Sequence, residues 1–202
     1  MKKTLSLFIL LVMAAVSFAQ DPAPAKPALP PHEIHVKAGL LSVPTILVLT
    51  EQLFSTAFTG GQVRVDHISS TGALTLGYQH RLNRYFALTA DGVYQKITSD
   101  VYHGNQTYTE RETATFLSVM GGFKFYYLER EKIRLYMQAA AGLSEMKESG
   151  VMAGTAYTDY HQLLAFHLNP IGIQVGRRLA LDLEVISVGY MGTMNIGASY
   201  RF

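Results

Sequence analysis

The last nine residues alternate between apolar and polar side chains, and this alternation constrains the fold more than any other feature. The residues of one parity are apolar and end in two aromatic rings: Met194, Ile196, Ala198, Tyr200 and Phe202. The residues of the other parity are polar or small: Asn195, Gly197, Ser199 and Arg201. A period of two predicts a β-strand with one apolar and one polar face at the end of the chain.

The first 20 residues have the pattern of a secretory signal peptide. A basic start, Met1-Lys2-Lys3, precedes an apolar stretch from Leu5 to Ala19. That stretch is shorter than the roughly 20 residues that a membrane-spanning helix needs, so we expect cleavage near Gln20. Residues 21–33 are rich in proline, which cannot join a strand ladder, and predict an extended periplasmic tether.

Composition narrows the classes of site and partner. The chain has no cysteine, which excludes disulfides, thiolate metal sites and lipoprotein attachment. Loss of the signal peptide removes Lys2 and Lys3 and no acid, so 15 basic residues face 15 acidic ones. A balanced charge gives no argument for a nucleic-acid partner.

Residues 34–202 contain eight segments with alternating faces. They run over about 34–41, 72–82, 85–97, 113–128, 133–143, 161–175, 179–186 and 194–202. Short turns alternate with long connections over 42–71, 98–112 and 144–160. We therefore predict an all-β fold, an eight-stranded antiparallel up-and-down transmembrane β-barrel.

Two local features refine this prediction. In the sixth strand, Phe166 and Leu168 share one parity but Ile171 and Ile173 share the other. The change falls at Asn169-Pro170 and predicts a β-bulge there, because an extra residue reverses the faces. The apolar segment 44–58 predicts a helix in the first long connection. It would pack against the barrel mouth, lie at the membrane interface, or serve as a lid or partner-binding surface.

The polar faces of the strands carry charges of both signs, as expected of a narrow lumen filled by paired side chains. We call this set the lumen charge network: Lys37, Arg81, Asp91, Lys124, Arg134, Asp182, Glu184 and Arg201. Asp182 and Glu184, facing Arg134 or Lys124, are its expected core. Aromatic residues near the strand ends predict interface girdles: Tyr85, Phe86, Tyr126, Tyr127, Tyr200 and Phe202 at one end, with Tyr94, Tyr102 and Tyr108 toward the other. A soluble lipocalin-like barrel with the two faces reversed remains an alternative.

From about residue 34 to residue 202 the chain resembles the small outer-membrane β-barrel family of OmpA-like and OmpX-like proteins. The segments 169–173 and 189–202 look like the version common in Bacteroidota. The resemblance implies residence in the cell outer membrane, contact with its lipids and lipopolysaccharide, and no cofactor. It also implies that the barrel assembly machinery reads Tyr200 and Phe202 as a C-terminal signal.

The family has several functions, so the fold does not select one. We expect a non-enzymatic structural or adhesin-like role, with any surface ligand held by outer loops that contain Tyr102, Tyr108 and Tyr157. A narrow porin-like channel is one alternative. A lipid A-modifying enzyme is another, since His67 and Ser69 form a His-x-Ser pair. The histidines lack metal-ligand spacing, and we predict no metal site beyond a weak cation contact at Asp159 and His161. Lys96 is expected to face outward, near a lipopolysaccharide phosphate.

Overall fold

The structure, a computed structural model, describes residues 30–58, 63–103, 110–152 and 155–202, with backbone only over 51–58, 63–67, 101–103, 110 and 152. The predicted signal peptide and most of the tether lie outside these residues. The elements are, in chain order, β1 (His32–Leu40), α1 (Val43–Phe58), β2 (Val63–Ser70), β3 (Ala73–Arg81), β4 (Phe86–His103), β5 (Glu110–Glu129), β6 (Ile133–Met152), β7 (Thr155–Gly176), β8 (Leu179–Gly189) and β9 (Met194–Arg201).

The strands close into one antiparallel ring with eight positions. Their order is β2-β4-β3-β1-β9-β8-β7-β6-β5, and pairing of β4 with β5 closes the circle. β2 and β3 pair with successive parts of β4 and therefore form two segments of a single barrel strand. Gly72 separates them with a φ of 71°, a conformation that glycine adopts without strain. The predicted eight-stranded barrel is confirmed.

The outer and inner faces of the barrel wall differ in polarity, and this difference shows which face meets the lipid. Side chains that face outward are apolar and exposed, including Val119 at 69% and Leu164 at 80%. The inward set is largely polar, and Lys37 and Glu184 are almost completely buried within it. A soluble barrel would have the reverse arrangement, so the lipocalin-like alternative is wrong. The exterior is that of a transmembrane β-barrel, whose strands alternate apolar residues outside with polar residues inside.

Aromatic residues border the apolar surface at the end where the short turns lie, which we call the short-turn end. The outward side chains there are Tyr78, Tyr85, Phe86, Tyr127, Tyr200 and Phe202. Tyr126 was predicted in this girdle but is buried in the lumen, because its parity is that of Lys124. Tyr94 is exposed toward the opposite end, which we call the long-loop end. The side chains of Tyr102 and Tyr108 lie outside the described ones.

The long connections differ from the prediction because much of their length is paired strand. β4 and β5 pair from Thr98 with Thr113 to Val101 with Glu110. Similarly, β6 and β7 pair from Ser144 with Leu163 as far as Met152 with Thr155. Most residues on both faces of these extensions are polar, so their sequences lack the apolar alternation by which a half-buried strand is found.

The predicted helix is present as α1. Ser42 precedes it, and the Ser42 hydroxyl accepts a hydrogen bond from the Thr45 amide at 3.4 Å, as an N-cap does. Ser42 and Thr45 are buried at the long-loop mouth, and Val43 and Val48 pack on apolar residues inside the barrel. The first turns of α1 therefore cover the mouth, which is one of the predicted placements. Within the described residues, no helix is long and apolar enough to cross a membrane.

The predicted bulge at Asn169-Pro170 is confirmed. The pairing of β6 with β7 passes from Gln138 opposite Asn169 to Tyr136 opposite Gly172, so one residue of β6 faces two of β7. Inward parity changes from Asn169 to Gly172 across this irregularity. β8 contains a second parity change, where Val185 and Ile186 both face outward. We did not predict this one, although two adjacent apolar residues mark it in the sequence.

We predict that the folded chain will shift its gel migration on boiling and will remain in membranes during alkaline washing. A closed barrel satisfies all its backbone hydrogen bonds internally and stays folded in cold detergent, whereas the boiled chain is extended. The measurement is electrophoresis of the washed membrane fraction with and without heating. Recovery in the soluble periplasmic extract, with no shift, would contradict the membrane assignment.

We predict that Gly172→Ala destabilises the barrel by about 1–3 kcal/mol, because a Cβ at Gly172 would lie 2.2 Å from Cζ of the buried Tyr136 ring. Gly121→Ala is the matched control, since a Cβ at Gly121 meets nothing within 4 Å. The free energy of unfolding in urea, measured for both variants in the same micelles, checks this. Equal stability of the two variants would mean that Tyr136 moves aside without cost.

Candidate functional site

The barrel interior contains all eight residues of the predicted lumen charge network. Seven of them are buried: Lys37, Asp91, Lys124, Arg134, Asp182, Glu184 and Arg201. The eighth, Arg81, lies at the short-turn end with its side chain only 8% exposed. They do not form a single cluster but divide into a central group, a group at the short-turn end and a separate Asp91 pair.

Lys37 is the centre of the first group. Its Nζ lies 2.5 Å from Oε1 of Glu184 and 3.7 Å from Oδ2 of Asp182. Nζ of Lys124 lies 3.9 Å from the same Asp182 oxygen. Two cations thus face two carboxylates in a space that excludes bulk water. The expected pairing with Lys124 is present, at 3.9 Å from Asp182. Lys37 makes the closest contact with the carboxylates, at 2.5 Å from Glu184.

Tyr136 fills the space between these charges. Its hydroxyl contacts Asp182 Oδ1, lies 2.9 Å from Glu184 Oε1 and accepts a hydrogen bond from Lys37 at 3.4 Å. Nζ of Lys124 lies 4.6 Å from the ring centroid, within the range of a cation–π contact. The ring lies over Gly172 on the neighbouring strand, where any larger residue would overlap it. One aromatic residue therefore contacts all four charges of the central group.

The remaining oxygens of both carboxylates also have partners. Glu184 Oε2 accepts from Asn195 Nδ2 at 2.9 Å and lies 3.1 Å from His167 Nε2. Asp182 Oδ2 accepts from Gln174 Nε2 at 3.0 Å. Buried carboxylates are tolerated when their lone pairs are satisfied in this way. His167 was not among the predicted site residues, although its inward parity follows from the outward Phe166 and Leu168 on either side of it.

The second group lies at the short-turn end and depends on two acids that we did not predict. Glu33 accepts from Arg201 Nε at 2.7 Å and from Gln174 Nε2 at 2.7 Å. Glu129 lies 2.8 Å from Arg81 Nη1 and 3.3 Å from Arg134 Nε. Of the two cations expected to face Asp182 and Glu184, Lys124 does so and Arg134 does not. Arg134 is the second residue of β6 and lies too near the barrel end, beside Glu129 and Glu33.

Asp91 forms a pair of its own with a histidine. His35 Nε2 donates to Asp91 Oδ1 at 2.7 Å, and Gln138 Nε2 donates to Oδ2 at 3.1 Å. Gly77 makes this contact possible, because a Cβ there would lie 2.2 Å from Asp91 Oδ1. The strand alternation had assigned His35 to the polar face, but it could not show the partner, which is 56 residues away.

Taken together, these groups contain five carboxylates and five lysine or arginine cations: Glu33, Asp91, Glu129, Asp182 and Glu184 with Lys37, Arg81, Lys124, Arg134 and Arg201. The numbers of opposite charges are equal, and every one of these acids except Asp91, which pairs with His35, lies within 4.0 Å of a lysine or arginine. This suits a filled lumen, since an eight-stranded barrel is only wide enough for side chains. The arrangement therefore favours a structural network over a path for ions.

The long-loop mouth is closed by different chemistry. Apolar side chains fill the lumen there, among them Val93, Ile97, Phe116 and Met120. Gln95 joins them to α1, because it accepts from the Ser42 hydroxyl at 2.5 Å and donates to the Thr45 hydroxyl at 2.6 Å. The start of α1 thus covers the mouth. It packs on the apolar side chains of the lumen and is hydrogen-bonded to Gln95 of the wall.

The other predicted candidates lie on β2 and β7, away from the lumen charge network. Ser69 is exposed on β2, and the side chain of His67 lies outside the described ones. Asp159 and His161 are exposed on β7. In the part of the chain that the structure describes, no three His, Asp or Glu side chains are grouped in a way that could hold a metal ion.

Beyond the barrel rim, one inward-facing row contains a tyrosine between two acids. The Tyr157 hydroxyl lies 3.4 Å from Glu112 Oε1 and 3.4 Å from Glu148 Oε1. Loss of solvent contact, together with the two carboxylates, raises the pKa of Tyr157 to about 12. Tyr157 was predicted as an adhesive loop residue, and its hydroxyl instead faces partners within the sheet.

The sequence matches no protein-family model, and no curated protein is significantly similar to it. Two solved structures are similar in fold, and both are of Ail, the attachment invasion locus protein of Yersinia pestis. The first is 14% identical, covers 87% of this chain and 100% of its own, and has a TM-score of 0.47. The second, a complex with the heparin analogue sucrose octasulfate, is 16% identical, covers 85% and 99%, and has a TM-score of 0.46. At these scores the likeness carries no inference about what this chain binds.

We predict that Lys37→Met destabilises the barrel by about 3–5 kcal/mol, because it leaves Glu184 and Asp182 buried with one cation fewer. Glu184→Gln in the same chain should restore much of the loss, since the excess charge is removed while hydrogen bonding is kept. Urea unfolding of the single and double variants measures both effects.

The matched control for this experiment is Lys96→Met, an exposed lysine on the outer face, which should change stability by less than about 0.5 kcal/mol. If Lys37→Met and Lys96→Met have the same stability, the central ion pairs contribute nothing to the fold.

Proposed function

We propose that this protein is an integral outer-membrane β-barrel, of the OmpA-like and OmpX-like kind found in Bacteroidota, that presents a β-sheet for contacts outside the cell. Its short turns lie at one end and its extended strands at the other, as in barrels with periplasmic turns and longer outer loops. In this orientation the tether begins in the periplasm, after a cleaved signal peptide. Tyr200 and Phe202 then serve as the signal for the assembly machinery.

The exterior supports contacts with both membrane leaflets. The aromatic girdle at the short-turn end suits the inner headgroup level. At the other end Lys96 and Lys147 face outward in one cross-strand row with Thr115 between them. Nζ of Lys147 lies 5.8 Å from the ring centroid of the exposed Tyr160. Two lysines beside an interfacial tyrosine, directly beyond the apolar band, suit the phosphates of lipopolysaccharide.

A projecting sheet at the long-loop end supports the surface role. It consists of 63–70, 97–103, 110–115, 146–152 and 155–162, which continue in β2, β4, β5, β6 and β7 after the other strands have ended. β8 pairs with β7 only over the part from His167 to Gly176. At about 3.3 Å per residue, β7 continues for roughly 40 Å beyond this pairing. The sheet thus reaches well outside the barrel.

The observation that carries the proposal is the free edge of β7. Over 155–165, the described residues pair with β6 on one side of β7 and with no strand on the other. Lysine, other charged residues and proline usually prevent an edge from pairing with another chain. This edge contains no lysine and no proline, and Asp159 is its one carboxylate. It fits a partner with an extended segment that adds as a further strand through its main chain.

The last contact between β7 and the β8 side of the barrel shows which β7 amides face the open edge. The Phe166 carbonyl points to the β8 side, where it accepts from the Tyr190 amide at 2.9 Å. Main-chain groups two residues apart in a strand point to the same side. The amides of Thr158, Tyr160 and Gln162 therefore face the open edge, and those of the residues between them face β6.

A non-enzymatic role agrees with this assignment. The lumen is occupied by paired charges and apolar side chains, which supports an anchor more than the narrow channel. The His67 and Ser69 pair of the enzymatic alternative lies on β2, near the opposite edge of the projecting sheet.

We predict that Thr158→Pro combined with Gln162→Pro abolishes binding of extended peptides while the barrel folds normally. Each substitution removes one amide from the open edge and none from the ladder with β6. Peptides would be selected from a displayed library of unstructured sequences on the barrel in lipid nanodiscs. Their affinity for the natural chain and the variant would then be compared, with the gel shift as the test of folding.

Thr158→Val combined with Gln162→Val is the matched control, because it changes the same side chains and keeps both amides. Selected peptides should bind this control within about threefold of the natural chain. Peptides that bind the proline variant equally well would exclude strand addition at β7.

A further inference from the structure

Two histidines meet on the outer wall of the barrel at the short-turn end. His32 begins β1 and His80 lies directly opposite it on β3, and both have the outward parity of Ile34 and Tyr78. Their Nδ1 atoms are 3.4 Å apart, although 48 residues separate them in the chain. Spacing along the sequence therefore gave no sign of this pair.

The register of the sheet brings these side chains together. The Arg81 amide donates to the Pro31 carbonyl at 2.7 Å, so 31 and 81 form a hydrogen-bonded position of the antiparallel ladder. Such positions alternate with non-hydrogen-bonded ones, where opposite Cα atoms are only about 4.5 Å apart. His32 and His80 occupy the non-hydrogen-bonded position, in which opposite side chains approach most closely.

Neighbouring aromatic residues fix the orientation of the His32 ring. It stacks on Phe202 with ring centroids 5.7 Å apart and on Tyr78 with centroids 5.9 Å apart. The Tyr78 hydroxyl lies 2.5 Å from His32 Nδ1. Two possible ligand atoms, His80 Nδ1 at 3.4 Å and the Tyr78 hydroxyl oxygen at 2.5 Å, thus lie close to His32 Nδ1 at the edge of the aromatic girdle.

Hydrogen bonding does not account for this arrangement. His32 Nδ1 has a single lone pair, and when Tyr78 donates to it, His80 Nδ1 faces an atom that is already satisfied. The nitrogen separation of 3.4 Å is also beyond the usual range for an N–H donor. By contrast, two nitrogens bound to one tetrahedral zinc ion at about 2.0–2.1 Å lie roughly 3.3–3.4 Å apart.

We propose that His32 and His80 bind one divalent transition-metal ion of the zinc class through their Nδ1 atoms. Imidazole suits Zn²⁺, Ni²⁺ and Cu²⁺, whereas Mg²⁺ and Ca²⁺ prefer oxygen ligands. The Tyr78 hydroxyl supplies one oxygen beside the two nitrogens, and water completes the coordination. The site is a two-histidine chelate, since the described residues offer no third His, Asp or Glu in the group.

The ion would link the first residue of β1 to β3. Because the unfolded chain has no preformed pair, metal binding at this point stabilises the folded barrel. It would hold the start of the barrel, where the tether arrives, to its neighbouring strand. This inference depends on the barrel wall alone and not on the open edge of β7.

The test is titration of the purified full chain, folded in detergent micelles, with Zn²⁺ in a calorimeter. We expect one ion per chain and micromolar affinity. His32→Gln and His80→Gln should each weaken binding at least about tenfold, because a single imidazole no longer chelates. His161→Gln is the control, since it removes the exposed histidine of the weak cation contact predicted with Asp159 at the other end. It should leave the affinity of the micromolar site within about twofold.

A second measurement separates metal loss from misfolding. Zn²⁺ should raise the urea midpoint of the natural chain and of His161→Gln, and a chelator should reverse the rise. Both glutamine variants should show the heat-dependent gel shift of a folded barrel but no rise in midpoint with Zn²⁺. Absence of binding to the natural chain, or binding that survives either glutamine substitution, would overturn the proposal.

Discussion

The contact between Lys37 and Glu184 is the interaction on which the rest of the structure depends. A bilayer makes the outer face of every strand apolar, and strand geometry then directs the alternate polar residues into a lumen too narrow for bulk water. Each buried charge must find an opposite charge at contact distance, and Lys37 finds two carboxylates at 2.5 and 3.7 Å. Tyr136 fits between them because Gly172 leaves the space. The packing of the lumen and the pairing of its charges therefore depend on each other.

Much of this fold could be predicted from the alternation of apolar and polar residues along each strand. A period of two along each strand identified the outward and inward faces, and a change of parity at Pro170 identified the bulge without any knowledge of the neighbouring strands. The helix at 43–58 followed from its own apolar face and the proline at its start. These features share a cause, since each is determined by residues that are close in the chain.

The pairing within the lumen could not be predicted, because it depends on strand stagger. Parity places Arg134 inside but does not say at which height, and its true neighbours are Glu129 and Glu33. Glu33 had been assigned to the tether and Glu129 to a turn, since both lie just beyond clear alternation. The projecting sheet was mistaken for loops for a similar reason. Strands that are mostly polar on both faces lack the alternation of apolar and polar residues by which a strand is predicted. Tyr126 was placed outside because aromatic residues favour interfaces, although its parity with Lys124 already indicated the lumen.

The two ends of the barrel differ in whether the edges of their strands are paired. At the short-turn end every strand is paired, and stacked aromatic rings and ion pairs complete the wall. At the long-loop end the break at Gly72 lets the second strand continue as β2, so five strands leave the ring as an open sheet with two edges. α1 contacts β2 and lies beside one of them. The β7 edge has no such neighbour among the described residues and no protective lysine or proline. An edge with Asp159 as its one carboxylate and no lysine is weakly protected, which is a liability for any protein. Its length over 155–165 is best explained if pairing there is useful.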